Sequence, residues 1–347
     1  MKMCQGFSEN GHSITLYARK GIEKDNIFLS YGIRKTFNLE YCDYPSIPLL
    51  NHLYFSHQVK KRIITNKYQD ILYGRHIYSL YAVRNIGSPI IFEAHAPPAN
   101  PLQKHLEKEL FSHSNFKSLI VISDALRSEY IHLYPNLDRK SVRTLHDAAD
   151  PLENSTLDLV ATWPGRHHAL QVGYIGHLYP GKGMEIITKL AKLMPNTDFH
   201  VIGGTDNDIT YWKKACKNRN LYFHGFIDHG KLTAYYQNLD VLLAPYQSQV
   251  QPSGRSGDIS KWMSPLKLFE YMAAQKAIVC SDLPVLREIL HDKVTGLFVK
   301  ADDTNAWRQA LTTLRKHPEL RNLLGKNAFE QFQNHHTWRK RAAQALL

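Results

Sequence analysis

The stretch that decides the reading is Ser264-Pro265-Leu266-Lys267-Leu268-Phe269-Glu270-Tyr271-Met272-Ala273-Ala274. A serine and a proline suit the first positions of a helix. Leu266, Phe269 and Met272 recur at helical spacing, which predicts one buried apolar face. Lys267 and Glu270 fall three apart on another face, close enough to serve one ligand together. A helix entrance offers unpaired N–H groups and a partial positive charge, and Lys267 adds a full charge beside it, making a seat for phosphate. Glu270, a turn further in, is placed to accept hydrogen bonds from ribose or sugar hydroxyls. On spacing alone the same residues read equally well as a solvated ion pair on a surface helix.

Upstream, the apolar run Ala169 to Ile175 predicts a buried strand, followed by Gly176-His177-Leu178-Tyr179-Pro180-Gly181-Lys182-Gly183 and a helix to Leu193. Glycines let a backbone approach a ligand closely, and Lys182 stands at a helix entrance. The P-loop pattern requires Ser or Thr after its lysine, and Gly183 follows instead. Ser88 to Phe92 reads as another buried strand, ending in Glu93-Ala94-His95-Ala96-Pro97-Pro98. Polar residues where a strand ends are well placed for a ligand of an open α/β sheet. Phe199 to Ile202 ends similarly, in Gly203-Gly204-Thr205.

The segments Ile71–Pro98, Val172–Pro195 and Ser264–Leu290, in that order, resemble the group 1 (family 4) glycosyltransferases. The resemblance implies the GT-B fold: α/β, two Rossmann-like domains facing a cleft. It implies transfer of a sugar, with retention, from a nucleotide-sugar donor (UDP- or GDP-linked) to an acceptor hydroxyl. No cofactor beyond that substrate and no metal is expected. Gly176, Lys182, Ser264, Pro265, Leu266, Lys267 and Glu270 would hold the donor. His95 and Glu270 would act at the transferred sugar and ribose, with Arg75 and Glu93 as candidates for the acceptor side. Two departures stand out. The family arginine five residues before Lys182 is His177, and the carboxylate usually found eight positions before Glu270 is Trp262. Asp258 is nearby and could take over the sugar contact.

By the same resemblance, residues 1–150 form an acceptor-side domain, 151–168 a linker, 169–330 the donor domain, and 331–347 a helix returning to the first domain. The first strand and glycine-rich loop that open the family's fold do not precede Met1, so the first sheet is expected to lack its N-terminal strand. Residues 27–56 read as irregular, rich in tyrosine and proline, and 245–263 as a long loop suited to a lid. His57 to Tyr68 reads as a helix with Lys60, Lys61 and Arg62 beside Val59, Ile63 and Ile64, a basic amphipathic pattern that can rest on anionic lipid.

Composition sets the limits. At 347 residues the chain exceeds one ordinary core and suggests two domains. Four cysteines without a CxxC pair argue against a zinc site or disulfide scaffold and fit a reducing cytosol. Nineteen histidines are scattered without a ligand-like repeat. The formal charge of +12 draws the protein toward polyanions. Nucleic-acid motifs are missing, which leaves phosphorylated substrates and an anionic membrane, with a place in the cytoplasm at its inner face. No run nears the roughly 20 apolar residues of a membrane span. The acceptor expected is a cell-envelope lipid or polysaccharide. Two rivals remain: an epimerase or phosphorylase of the same architecture, and a truncated or degenerate chain that binds nucleotide sugar, or a partner, without turnover.

Overall fold

The computed structural model describes residues 1–20, 27–47, 50–66, 69–152, 163–251 and 257–347. The chain divides into two compact units, residues 1–146 with 339–347 and residues 147–338, where the sequence suggested boundaries near 150 and 330. Most of the expected linker, 153–162, lies outside the described residues, as do Gly254 and its neighbours within the expected lid.

Unit 1 runs α1 (Lys2–Glu9), β1 (Thr15–Arg19), α2 (Ile27–Ser30), β2 (Asn38–Cys42), α3 (Leu50–Thr65), β3 (Leu72–Gly74), α4 (Ile77–Val83), β4 (Ile90–Ala94), α5 (Pro101–Phe111), β5 (Phe116–Val121), α6 (Asp124–Leu133) and β6 (Val142–Thr144). Every strand pair is parallel. β3-β4-β5-β6 make one sheet and β1-β2 another. No strand among the described residues joins the two.

Unit 2 continues with β7 (Leu170–Ile175), α7 (Met184–Leu193), β8 (Thr197–Ile202), α8 (Asp206–Ala215), β9 (Leu221–Gly225), α9 (Leu232–Gln237), β10 (Val241–Ala244), α10 (Leu266–Ala273), β11 (Ala277–Ser281), α11 (Pro284–Arg287), β12 (Leu297–Val299), α12 (Thr304–Lys316) and α13 (Pro318–His335). Its parallel sheet has the order β12-β11-β10-β7-β8-β9, a doubly wound arrangement with the first strand at the centre. Helices cover both faces, so β7, β8, β10 and β11 are buried along their whole length. Leu242, Ala244, Ile278 and Cys280 pack with Phe269, Met272 and Leu286 on one side. Their neighbours Val241, Leu243, Ala277 and Val279 pack with Met184, Leu190, Trp307 and Leu311 on the other. That alternation is the two-residue period of a strand.

The last helix, α14 (Trp338–Leu346), belongs to unit 1 from Arg339 onward. Arg341 is buried and fixes it there, donating to the Glu93 carboxylate and to the carbonyls of Leu145 and His146.

Residues 27–56 are more regular than their composition suggested, since they hold α2, β2 and the start of α3. α3 begins at Leu50 rather than His57. The flanks of the expected lid are packed: Tyr246, Val250 and Met263 are buried, and Ile259 N–H bonds the Val250 carbonyl.

Candidate active site

In unit 2 the segments that follow strands β7 and β10 bring backbone and lysines together. Gly176 follows β7 with φ at 146°, and a side chain there would press on Lys267, because a Cβ would lie 3.0 Å from its Nζ. Gly183 is the N-cap of α7 at φ 95° and offers no side chain to the first N–H groups of that helix. α10 opens in the same way, with Pro265 at the N-cap and no side-chain cap. Each of these helix entrances therefore keeps open donors and a partial positive charge.

The two lysines converge. Lys182 Nζ and Lys267 Nζ each lie 5.1 Å from the ring centroid of Tyr246, and Lys267 Nζ also sits 3.8 Å from that of Tyr174. Lys267 Nζ is buried and has no hydrogen-bond partner. Burial drives its pKa well below the usual lysine range, Lys182 pushes the same way, and Glu270 opposes. Lys182 is lowered by burial too. Ring contacts offset part of the cost of burying an ammonium, which still runs to several kcal/mol, about 5 in order of magnitude. Two lysines brought together away from water are held in their charged form by a bound anion.

Other expected residues take different roles. Lys267 is not on an open helix face, and Leu266 is 48% exposed where the apolar pattern had it buried; Leu268, Phe269, Tyr271 and Met272 form the buried face instead. Ser264 Oγ accepts from the Asp147 N–H at 2.9 Å, so its hydroxyl holds the chain rather than capping α10. Glu270 keeps partial exposure and accepts from His229 Nε2 at 3.2 Å. His177 stacks on Tyr179 at 4.9 Å; burial and then the two lysines lower its pKa, so it adds no positive charge at neutral pH. Asp258 is occupied within its loop by the N–H groups of Val250 and Ser260 and by Ser260 Oγ.

In unit 1, Glu93 ends β4 fully buried. Its Oε1 accepts from His95 Nε2 at 2.6 Å and from Arg75 at 2.5 Å, and Oε2 from Arg341 at 3.0 Å. Burial favours the acid form, but Arg341 and His95 outweigh it and keep the carboxylate ionised. Glu93 is therefore an anchor that orients Arg75 and His95, not a group open to an acceptor. His95 is held at Nε2 by Glu93, and its side chain remains partly exposed.

Sequence reasoning missed two histidine pairs. His52 Nδ1 and His76 Nε2 are 2.9 Å apart, and His76 continues to Ser79 at 2.8 Å. His200 Nδ1 and His224 Nε2 are 3.0 Å apart beneath the stacked ring of Trp163. Among the described residues no group of three or more metal-ligating side chains assembles.

The family model for glycosyl transferases group 1 matches residues 165–331. An uncharacterized glycosyltransferase of Methanocaldococcus jannaschii is 25% identical over 178 residues, 49% of this chain and 42% of that protein. The phosphatidyl-myo-inositol mannosyltransferase of Mycolicibacterium smegmatis is 29% identical over 146 residues, 41% of this chain and 35% of that one. The chain thus spans about two fifths of the length of the curated relatives it matches. Among solved structures, a glycosyltransferase from Rickettsia africae superposes with a TM-score of 0.77 at 12% identity, over 99% of this chain and 91% of the other. Anabaena HepE, solved with UDP and glucose, gives 0.70 at 16% identity over 99% and 94%. These likenesses give the fold, which is GT-B. Over residues 165–331 the chain is thus similar to the group 1 glycosyl transferases.

Proposed function

We propose that this protein is a glycosyltransferase that holds the diphosphate of a nucleotide-sugar donor between Lys182, Lys267 and the open N-termini of α7 and α10. The observation that carries this reading is the buried, unpartnered Nζ of Lys267, which shares the ring of Tyr246 with Lys182. As the glycosidic bond breaks, the leaving diphosphate gains negative charge, and fixed cations lower the barrier. The lysines supply that charge, so the reaction needs no metal from the protein. Glu270 is assigned to ribose hydroxyls and Gly176 to the close approach of the phosphates. In unit 1, His95 is assigned to the transferred sugar. The product keeps its anomeric configuration.

HepE was solved with UDP and glucose, which supports a UDP-linked donor for this chain, with GDP as the second base. The mannosyltransferase relative is named for a phosphatidylinositol acceptor, which supports a lipid-linked or polysaccharide acceptor hydroxyl at the inner membrane face. No helix among the described residues is long and apolar enough to cross a membrane.

The direct test is nucleotide release from a panel of UDP- and GDP-sugars offered with lipid and glycan acceptors. The reading requires release with at least one donor and its loss in Lys267→Ala. The neutral His177 and Trp262 favour one rival, a chain that binds nucleotide without turnover. A donor that shifts the melting temperature but is never consumed with any acceptor would select that rival.

A further inference from the structure

An open pocket of about 410 Å³ lies in unit 2 at the amino ends of β8 and β9, between the last turn of α7 and the segment joining α8 to β9. Lys182 and Lys267 follow the carboxyl ends of β7 and β10 instead. The length of the parallel strands, about 20 Å for the six residues of β8, therefore separates the two places. The volume falls within the range of about 300–1,000 Å³ usual for small-molecule sites, but the usual lining is apolar. Here Arg166, Lys192, Lys217 and Arg219 line the pocket, and among the described residues no carboxylate does.

This is a local segregation of charge. Unit 2 as a whole is nearly balanced, with 21 lysines and arginines against 19 aspartates and glutamates. Arg166 has a counter-ion: its Nε and Nη2 donate to the buried carboxylate of Asp198, and Nη2 also to the Pro195 carbonyl. Lys192, Lys217 and Arg219 are exposed and have no ion-pair or hydrogen-bond partner among the described residues. A neighbouring pocket of about 540 Å³, which shares Pro195, adds Arg308 and Arg315 of α12 and again no carboxylate.

Lysines near the ends of α7 and α8 would ordinarily answer the partial negative charge of the helix carbonyls. Side-chain amides already do that here. Asn220 Nδ2 donates to the carbonyls of Ala191, Met194 and Thr197 at 2.7–3.0 Å, and Asn218 Nδ2 to that of Thr188 at 3.0 Å. The acceptors that would repel an anion are occupied, and the cations are left over. A nucleic-acid backbone calls for a continuous basic stripe, whereas this is a concave pocket on a unit with almost no net charge.

We propose that the pocket binds a small anion bearing several phosphate groups, separately from the sugar donor. Lys192, Lys217 and Arg219 pair with the phosphates, while Arg166 and Asn220 fix the floor. The proposal goes beyond the donor reading and does not rest on it.

Tripolyphosphate is the probe, titrated calorimetrically into the full chain at about 0.15 M salt, where loosely placed surface charges are screened. Binding is expected in the wild type and in Lys182→Met/Lys267→Met. Adding Lys192→Ala/Lys217→Ala/Arg219→Ala to that double variant should weaken it at least about tenfold. In the wild-type background the same three changes should remove the binding that excess UDP or GDP does not displace, with melting temperature and nucleotide affinity unaltered. Arg166 is kept because it holds Asp198. Loss of all tripolyphosphate binding with the two donor lysines, or unchanged affinity without the three pocket cations, would overturn the proposal and leave the donor reading standing. So would sulfate binding as tightly as tripolyphosphate, which means an adventitious ion only. A single-stranded oligonucleotide that binds more tightly than tripolyphosphate, through the same three cations, would overturn it in favour of nucleic acid.

Discussion

Lys182 and Lys267 come from different helix entrances, yet their ammonium nitrogens stand the same 5.1 Å from the ring of Tyr246. Two lysines held together away from water favour loss of the Lys267 proton in the unliganded protein, and an incoming diphosphate restores it. Unit 2 is therefore preorganised for a dianion before one arrives.

This arrangement predicts proton uptake. Lys267 has its pKa depressed in the folded chain, first by burial and then by Lys182, so the unfolded chain holds the proton more strongly. Without ligand, stability contributed by this group rises with pH up to the ordinary lysine value and is smallest where both states are protonated. A bound diphosphate favours the charged form. Calorimetry of UDP or GDP binding at pH 8 (about that value keeps the diphosphate fully ionised) in buffers of different ionisation enthalpy should reveal net uptake, absent in Lys267→Met. Identical enthalpies in all buffers for the wild type would contradict this.

The acid chemistry of α5 supplies a second test. Glu107 is fully buried, accepts from Tyr134 Oη at 2.7 Å, and burial raises its pKa to about 7. The folded chain keeps this proton up to about pH 7, whereas the unfolded chain releases it near 4.5. Stability is therefore complete below 4.5, falls as pH rises toward 7, and stays low beyond. Glu107→Gln should raise the melting temperature at pH 8 by several degrees and leave it nearly unchanged at pH 4, values bracketing the two pKa limits by about a unit. A shift of the same size at both pH values would mean that the carboxyl is not the cause.

How much of this was legible in the sequence depended on whether the cause was local. The strand, glycine turn and lysine from Ala169 to Gly183 could be read because periodicity and φ demands are short-range. The helix α10 could be read for the same reason. Leu266 and Lys267 were exchanged between surface and core, because a helix packed on most of its circumference has no clean apolar stripe to read. Glu93 looked like a candidate for the acceptor side because it ends a strand. Its main partner is Arg341, 248 residues away, and no local pattern could announce that pairing. The start of α3 at Leu50 rather than His57 is hidden in the sequence by the tyrosines and prolines before it, which resemble a loop.

The Glu93–Arg341 pair predicts an asymmetric response. Removing one partner strands a buried charge, so Arg341→Met should cost about 3–5 kcal/mol in unit 1. The double change Arg341→Met/Glu93→Gln should cost less than Arg341→Met alone. Hydrogen exchange would show the loss in peptides of β4, β6 and α14 while those of β10 and β11 remain protected. An additive double variant would remove the pair from the account of how α14 is held.

Backbone geometry near the lysines gives a further test. Gly181 has φ at 83°, and a Cβ there would lie 2.0 Å from the Gln249 carbonyl oxygen. Gly181→Ala should therefore destabilise unit 2 by about 2 kcal/mol or more and weaken nucleotide binding through displacement of Lys182. Gly230→Ala, with open space around the added methyl, is the control and should change neither. Equal behaviour of the two variants in denaturant melts and binding would contradict the tight turn.

The most direct measurement is the affinity of UDP and GDP for the wild type, Lys182→Met and Lys267→Met, each checked for fold by circular dichroism. Convergence of the lysines on one diphosphate predicts that whichever nucleotide binds the wild type loses at least about tenfold in each variant, or roughly 1.4 kcal/mol. Wild-type affinity in either variant would contradict the shared site.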